Sequence, residues 1–414
     1  MRVYFVIDMK SFFASVECSL RGLDATTTNL VVADHERTEK TICLAVSMNM
    51  KKLGVKNRCR LFQIPDGIDY IVAKPRMKKY IEFASEIYAI YLKYIDKNDI
   101  HVYSIDECFL DVTDYLKLYN IKAKDFAKRL MSEIWDKLRI PSTCGIGSNM
   151  YLAKIALDID AKKSKDRIGW LTEEKYIKTL SYHEPITDFW RISRGTRDRL
   201  KKYNITNMAG IREIDEEILY KEFGMDAEFL IDHAYGKEPC LMSDIKNYKS
   251  KNKSMSSSQI LPCGYDFDKG LIVFKEMIQD LCYKMYMSNI VTNHVTFTIV
   301  YEDYSAVTKR VNMVECTNLF SIISKYLIDK FEKFVDRNKN IKGMAYSVLS
   351  LDKSFEHYDL FTDLKKIEKE KNLMEKVIRI KEKYGKNSLL KGIDFEDGAN
   401  IRERNEMIGG HNSG

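Results

Sequence analysis

Residues 100–112, IHVYSIDECFLDV, decide the fold: two short runs of β-formers, 100–105 and 108–112, flank Asp106 and Glu107 and read as a hairpin with two acids at its turn. A long helical pattern precedes it at 76–95. After it come a helix over 122–138, a strand at 142–146 and a further helix from Asn149. At the N-terminus a β run, 2–7, ends on Asp8, and residues 10–20 carry apolar side chains at 12, 13, 16 and 20, as a helix would. With 19–76 set aside as an insertion, the order is βαββαβ, a ferredoxin-like unit. In that fold the first strand and the central hairpin are neighbours, so Asp8, Asp106 and Glu107 come together at one end of a sheet despite their distance in sequence.

The pattern repeats toward the C-terminus, with strands at 257–261, 294–301, 304–313 and 343–351 and helices at 270–288 and 319–334. Two such units imply two separate sheets. Between them lie a helical region, about 166–240, and IKNYKSKNKS (245–254), whose four Lys and no acid read as a linker by composition. Beyond 351 the charged segment LKKIEKEKNLMEKVIRIKEKYGK carries Leu364, Ile367, Met374, Val377 and Ile380 on a loose apolar stripe. It reads as a helix packed on its own protein or, less often, on a partner. The closing IGGHNSG reads as disordered.

Composition narrows the function classes. The 414 residues are 45% hydrophobic and 31% charged with 6 Pro and 19 Gly, which excludes collagen-like, low-complexity and disulfide-scaffold chains. The balance of 67 Lys+Arg against 60 Asp+Glu leaves +7, so a nucleic-acid surface must come from local clustering. Nine scattered cysteines without a CxxC argue against zinc and for a reducing compartment. No apolar run is long enough for a membrane span, and Asp8 breaks the N-terminal one, so a cytoplasmic protein is expected.

Three acids so close repel one another unless a cation holds them. Hard divalent ions suit such oxygen ligands, and Mg²⁺ keeps positions open for water and substrate phosphates. A pair of such ions lowers the pKa of an attacking hydroxyl and stabilises the leaving oxygen, so the triple outlines a phosphoryl-transfer site. By spacing alone, an Asp-Glu pair at a turn is more often solvated surface.

The neighbouring residues change that weighting. IDMKSFFASVE (7–17) and YSIDECFLDVT (103–113), with GIGSNMYLAKIALDIDAK (145–162) and ANIRERNEMIGGH (399–411), closely resemble the signature segments of the Y-family translesion DNA polymerases, most nearly the UmuC-like branch of Gram-positive bacteria and their mobile elements. The resemblance covers nearly the whole chain. It implies an α+β multidomain right-hand polymerase with a ferredoxin-like palm (1–18 and 77–165), small fingers (19–76), a helical thumb (166–240), a lysine-rich linker (241–253), a second βαββαβ unit as little finger (254–351) and a charged helical tail (352–414). The implied activity is low-fidelity, template-directed DNA synthesis in damage tolerance and SOS mutagenesis.

Carried over by residue, the resemblance makes Asp8, Asp106 and Glu107 the metal-binding catalytic carboxylates for two Mg²⁺ ions, with Mn²⁺ able to substitute, and adds the backbone carbonyl of Met9. Phe13 falls on the steric-gate position beside Phe12, where a rigid ring under the incoming sugar leaves no room for a 2′-hydroxyl. Both rings equally suit the core of an amphipathic helix. Lys51 and Lys162 stand at phosphate-contacting positions, although Met48 replaces a usual Tyr. The basic window KKLGVKNRCR (51–60) is either a solvated face or a nucleotide and template contact.

For DNA, the expected contacts are Lys246, Lys249, Lys251 and Lys253 of the linker and one polar strand face, with Thr308 and Arg310 between His294, Thr296, Thr298 and Asn312; a merely solvated face has the same pattern. In FWRISRGTRDRLKKYNI (189–205) the family's WGIG is replaced by Trp190, Arg191, Ile192 and Ser193, leaving Arg191, Arg194 and Arg197 to act by charge. HYDLF (357–361) resembles the bacterial sliding-clamp pentapeptide, with Leu360 and Phe361 as anchors and His357 in place of Gln. The implied partners are primer–template DNA, dNTPs, the clamp and a UmuD-like or recombinase protein, with no membrane and a monomeric state. Two other classes stay open: a nucleotidyl cyclase on the same palm, which would lack the thumb and second unit, and a catalytically silent DNA- or clamp-binding repair factor.

Overall fold

The computed structural model describes residues 2–34, 40–250 and 253–414, without the side chains of Lys163 and Lys253. It divides into two compact units, one running through Tyr248 with the last three residues and one from Lys249 to His411.

The first unit opens with β1 (Tyr4–Met9) and α1 (Phe12–Leu20). A small three-stranded sheet follows, made of β2 (Leu30–Val32), β3 (Ala45–Val46) and, after the short α2 (Met48–Lys52), β4 (Ile71–Ala73). This insertion buries its own core of Val31, Cys43, Val46, Met50 and Cys59. The chain then runs through α3 (Met77–Leu92), β5 (Ile100–Val102), β6 (Glu107–Asp111), α4 (Thr113–Leu118), α5 (Ala123–Leu138), β7 (Ser142–Gly147), α6 (Met150–Ile155) and β8 (Ile168–Leu171).

The main sheet has the order β5-β6-β1-β7-β8. Its first four strands have the ferredoxin-like arrangement read from the sequence, with β1 antiparallel to both β6 and β7. Strand β1 shows no polar alternation because both faces are covered: Phe5, Ile7 and Met9 join the α1/α3/α5 side, while Tyr4 and Val6 meet Met150 and Leu157. On the latter side α6 lies directly on β7, where a Cβ at Gly145 would come within 2.0 Å of the Ala153 carbonyl oxygen and one at Gly147 within 2.2 Å of the Ala153 nitrogen. Only glycine permits that approach.

Five helices follow in the same unit: α7 (Glu173–Lys178), α8 (Arg194–Lys201), α9 (Met208–Glu213), α10 (Glu216–Phe223) and α11 (Asp226–Ala234). The segment expected as linker is not uniformly one. Residues Met242–Asn247 form α12, because Met242 is buried beside Tyr4 and Val6 and gives this stretch something to pack.

The second unit contains β9 (Lys253–Tyr265), α13 (Phe267–Met287), β10 (Ile290–Tyr301), β11 (Ala306–Thr317), α14 (Phe320–Phe334) and β12 (Ile341–Asp352). The βαββαβ order is as read, but the sheet runs β11-β10-β12-β9, so β12 and not β9 sits inside. Either order is antiparallel throughout and can leave both helices on one face, so hydrophobic patterning does not distinguish them. The tail helix α15 (Leu364–Tyr384) packs on its own protein through Met374 and Ile378, while Leu364 and Ile380 of the expected stripe stay exposed. Beyond α16 (Ile401–Asn405), the segment read as disordered forms a small hairpin of β13 (Met407–Ile408) and β14 (His411–Asn412).

Candidate active site

Asp8 and Glu107 are direct partners across the β1–β6 ladder, so their side chains leave the same face of the sheet. Asp106 stands one residue earlier at the hairpin turn. Its backbone carbonyl accepts from the Met9 N–H at 3.0 Å, and its carboxylate accepts from the Ser104 hydroxyl at 2.6 Å. The three acids read from sequence are therefore brought to one place. Burial, then repulsion from Asp106 and Glu107, pushes the Asp8 carboxyl up to about 7. Burial also raises Glu107, although Lys154 opposes the shift from 2.8 Å.

Lys154, from α6, is a further residue of the site, paired also with Asp158 four residues on. Its ammonium is nearly buried against Glu107 Oε2, while Glu107 Oε1 is buried without any hydrogen-bond partner. The hydroxyls of Ser142 and Thr143, paired with Met9 and Asp8 on β7, are likewise unpartnered. Among the described residues no three His, Cys, Asp or Glu side chains are spaced as a finished metal cage, and Glu107 is turned to Lys154 instead. The donor set nevertheless fits a hard divalent cation: mutually repelling carboxylates and an orphaned carboxylate oxygen, all oxygen.

Cations collect beside these acids. Lys10 is drawn toward Asp8, but burial and then the charges of Lys162, Lys51 and Arg167 push its pKa down. Burial lowers Lys51 as well, with Asp8 opposing. The two expected lysines thus share one charged neighbourhood with Lys10 and Arg167, which the sequence reading missed. Position 10, two residues past a strand-end acid, was the available signal. Ser11, the next residue, sits at φ 47°, in the left-handed region, where the chain turns from β1 into α1.

The two rings separate. Phe12 is 3% exposed within the core, so its expected nucleotide contact is corrected: as the inward face of α1 it is spent on packing. Phe13 is half-buried and stacks on Tyr80 at 4.5 Å and 15°. The Met9 side chain is buried too, leaving only its backbone to face the acids.

Residues 7–158 match the sequence profile of the impB/mucB/samB family. The chain is 28% identical to DNA polymerase IV 2 of Bacillus subtilis, over 99% of this chain and 98% of that one. It is 26% identical to DNA polymerase IV of Streptococcus pneumoniae D39, over 83% and 95%. Among solved structures, a Y-family DNA polymerase chimera of Dbh and Dpo4 superposes with a TM-score of 0.65 at 22% identity, covering 84% of this chain and 98% of the other. Residues 7–158 thus resemble the impB/mucB/samB family domain. The fold of the chain is the right-hand polymerase fold of that solved structure.

Elsewhere in the chain the expected contacts fare unevenly. Lys246 on α12 donates to the Ile100 carbonyl at 2.6 Å, so it is committed to its own protein rather than held out for DNA, a correction to that expectation. Lys249 is exposed, Lys251 lies outside the described residues, and the Lys253 side chain is not described. Arg191, at a position where the resemblance implies glycine, has a left-handed backbone at φ 70°. Its guanidinium lies over Phe229 at 4.6 Å and Trp190 at 5.5 Å, and Arg197 is paired with Asp198. On the second sheet His294, Thr296 and Thr298 pair with Asn312, Arg310 and Thr308 in register, and Thr308, Arg310 and Asn312 are exposed. His357 pairs with Cys316 at the edge of β11, after which Leu360 and Phe361 stand 99% and 96% exposed, clear of α15.

Proposed function

We propose that this protein is a translesion-type, template-directed DNA polymerase that adds dNTPs to a primer 3′-hydroxyl. The observation that carries it is the pairing of Asp8 with Glu107 beside Asp106, next to a cluster of lysines. Asp8, Asp106, Glu107 and the Met9 carbonyl would hold two Mg²⁺ ions, with Mn²⁺ as a substitute. When bound, such ions lower the pKa of the primer hydroxyl and offset charge on the transferred phosphoryl group. Lys51 and Lys162, joined by Lys10 and Arg167, neutralise the triphosphate and orient its leaving pyrophosphate. Phe13 presents its partly exposed ring to the sugar and excludes a 2′-hydroxyl. We assign the palm to 1–18 and 77–165, the fingers to 19–76, the thumb to 166–240 and the little finger to 254–351.

The exposed face of Thr308 and Arg310, with Lys249, is read as the DNA grip: hydroxyls and cations meeting phosphates without reading bases. Leu360 and Phe361 are read as anchors for the sliding clamp, because large apolar side chains held fully in solvent suit a partner's pocket. No helix among the described residues is long and apolar enough to cross a membrane, and a cytoplasmic place at stalled replication is proposed. The catalytically silent reading is not favoured, since the three acids assemble at one point.

Primer extension with Mg²⁺ on undamaged and abasic templates tests the proposal. Metal-dependent addition of dNTPs and poor addition of rNTPs is expected; tight DNA binding with no addition under any metal would refute it.

A further inference from the structure

We propose that Glu17 is a positioning residue for the ring of Phe13, acting through Tyr80, and so sets how strongly the site discriminates deoxyribose from ribose; this rests on the reading of Phe13 given above. Glu17 follows Phe13 by four residues on α1, so the two share a helix face. The Glu17 side chain is fully buried and is gripped from two sides of the fold. Arg76 donates to it through Nε at 3.0 Å and Nη2 at 2.7 Å, the Tyr80 hydroxyl donates at 2.8 Å, and Arg21 closes a further ion pair.

Tyr80, buried in α3, is therefore fixed at both ends: its hydroxyl on Glu17 and its ring flat against Phe13. The other aromatic neighbour of Phe13 is Phe12, tilted at 5.8 Å and locked in the core. Burial alone would raise the Glu17 carboxyl, but its hydrogen bonds from Arg76, Arg21 and Tyr80 hold it below the ordinary range, so it stays an anion and a strong acceptor. Bidentate Arg–carboxylate pairs fix direction as well as distance.

The placement of the two arginines adds a second consequence. Arg21 stands just past α1, where the chain leaves for the 19–76 insertion, and Arg76 just before α3, where it returns. One carboxylate thus joins both crossings to the ring that contacts the sugar. A ring that excludes one hydroxyl must be placed to a fraction of an ångström, because misplacement by about 1 Å can cost 100-fold in a site of this kind.

The test is single-nucleotide insertion, with the ratio of kcat/KM for dCTP to that for rCTP measured in wild type, F13A, Y80F and E17Q alongside thermal unfolding. Tyr80→Phe keeps the stacked ring and removes only the link to Glu17. It is expected to lower the ratio about fivefold, the worth of one hydrogen bond, with Tm unchanged and kcat for dCTP held within about twofold. Glu17→Gln is expected to lower it further, and Phe13→Ala most of all. Folded Y80F with an unchanged ratio, while F13A loses discrimination, would overturn the positioning role. An unchanged ratio in F13A would instead overturn the reading of Phe13, and this inference with it. Where E17Q fails to fold, Y80F decides alone.

Discussion

At one end of the first sheet Asp8 and Glu107 face each other across a strand pair among buried, unpartnered oxygens, whereas on the second sheet Thr298 and Thr308 share a hydrogen bond of 2.9 Å on an open face. Both are cross-strand polar pairs in antiparallel ladders. In the first, burial and then repulsion from Asp106 and Glu107 push the Asp8 carboxyl up to about 7, and Lys154 is paired with Glu107. In the second, water screens every group and neighbours satisfy one another, as His294 does with Asn312 and Arg310. The proposed chemistry is thus concentrated in a few side chains, and the proposed DNA grip is spread over many.

Substitutions break or sharpen this contrast. Asp8→Ala should lower single-nucleotide insertion by about 1000-fold or more, as loss of a group acting in a unit does, measured by rapid quench on a primer–template. Replacing Leu360 and Phe361 together with Ala should weaken capture of the protein by immobilised bacterial clamp by about 100-fold, with Tm unchanged because both side chains are in solvent. Lys51→Ala should raise KM for dNTP by about tenfold, the worth of a charged hydrogen bond, with a smaller effect on kcat. Arg310→Ala should have the smallest effect, weakening primer–template binding equally across sequences and reducing the salt slope by about one.

Acid titration contrasts the buried carboxylates with the open face as well. Glu17 has a folded pKa below its unfolded value, so its contribution is fully present above the ordinary carboxylate range and is lost as pH falls through the folded value. Thermal melts should show Tm dropping below pH of about 4, and E17Q should flatten that acid limb.

The first sheet was legible because β1 is a pure β-former run ending on an acid and the hairpin carries two more. The second was legible in element order only, since its antiparallel alternation suits either strand order. What stayed hidden was pairing across distance: nothing in YLAKIALDID marks Lys154 as the partner of Glu107, and nothing in SVE or KPRM joins Glu17 to Arg76. The run of linker lysines misled because composition ignores a single buried anchor, Met242, which is enough to make a helix of its neighbours.

The concentrated-versus-dispersed account is tested most directly by measuring insertion rate and primer–template Kd side by side for wild type and D106A/E107A. Insertion should vanish while Kd stays within about threefold, since neither acid belongs to the proposed phosphate-contacting face. Insertion that survives, or affinity that collapses together with it, would contradict the account.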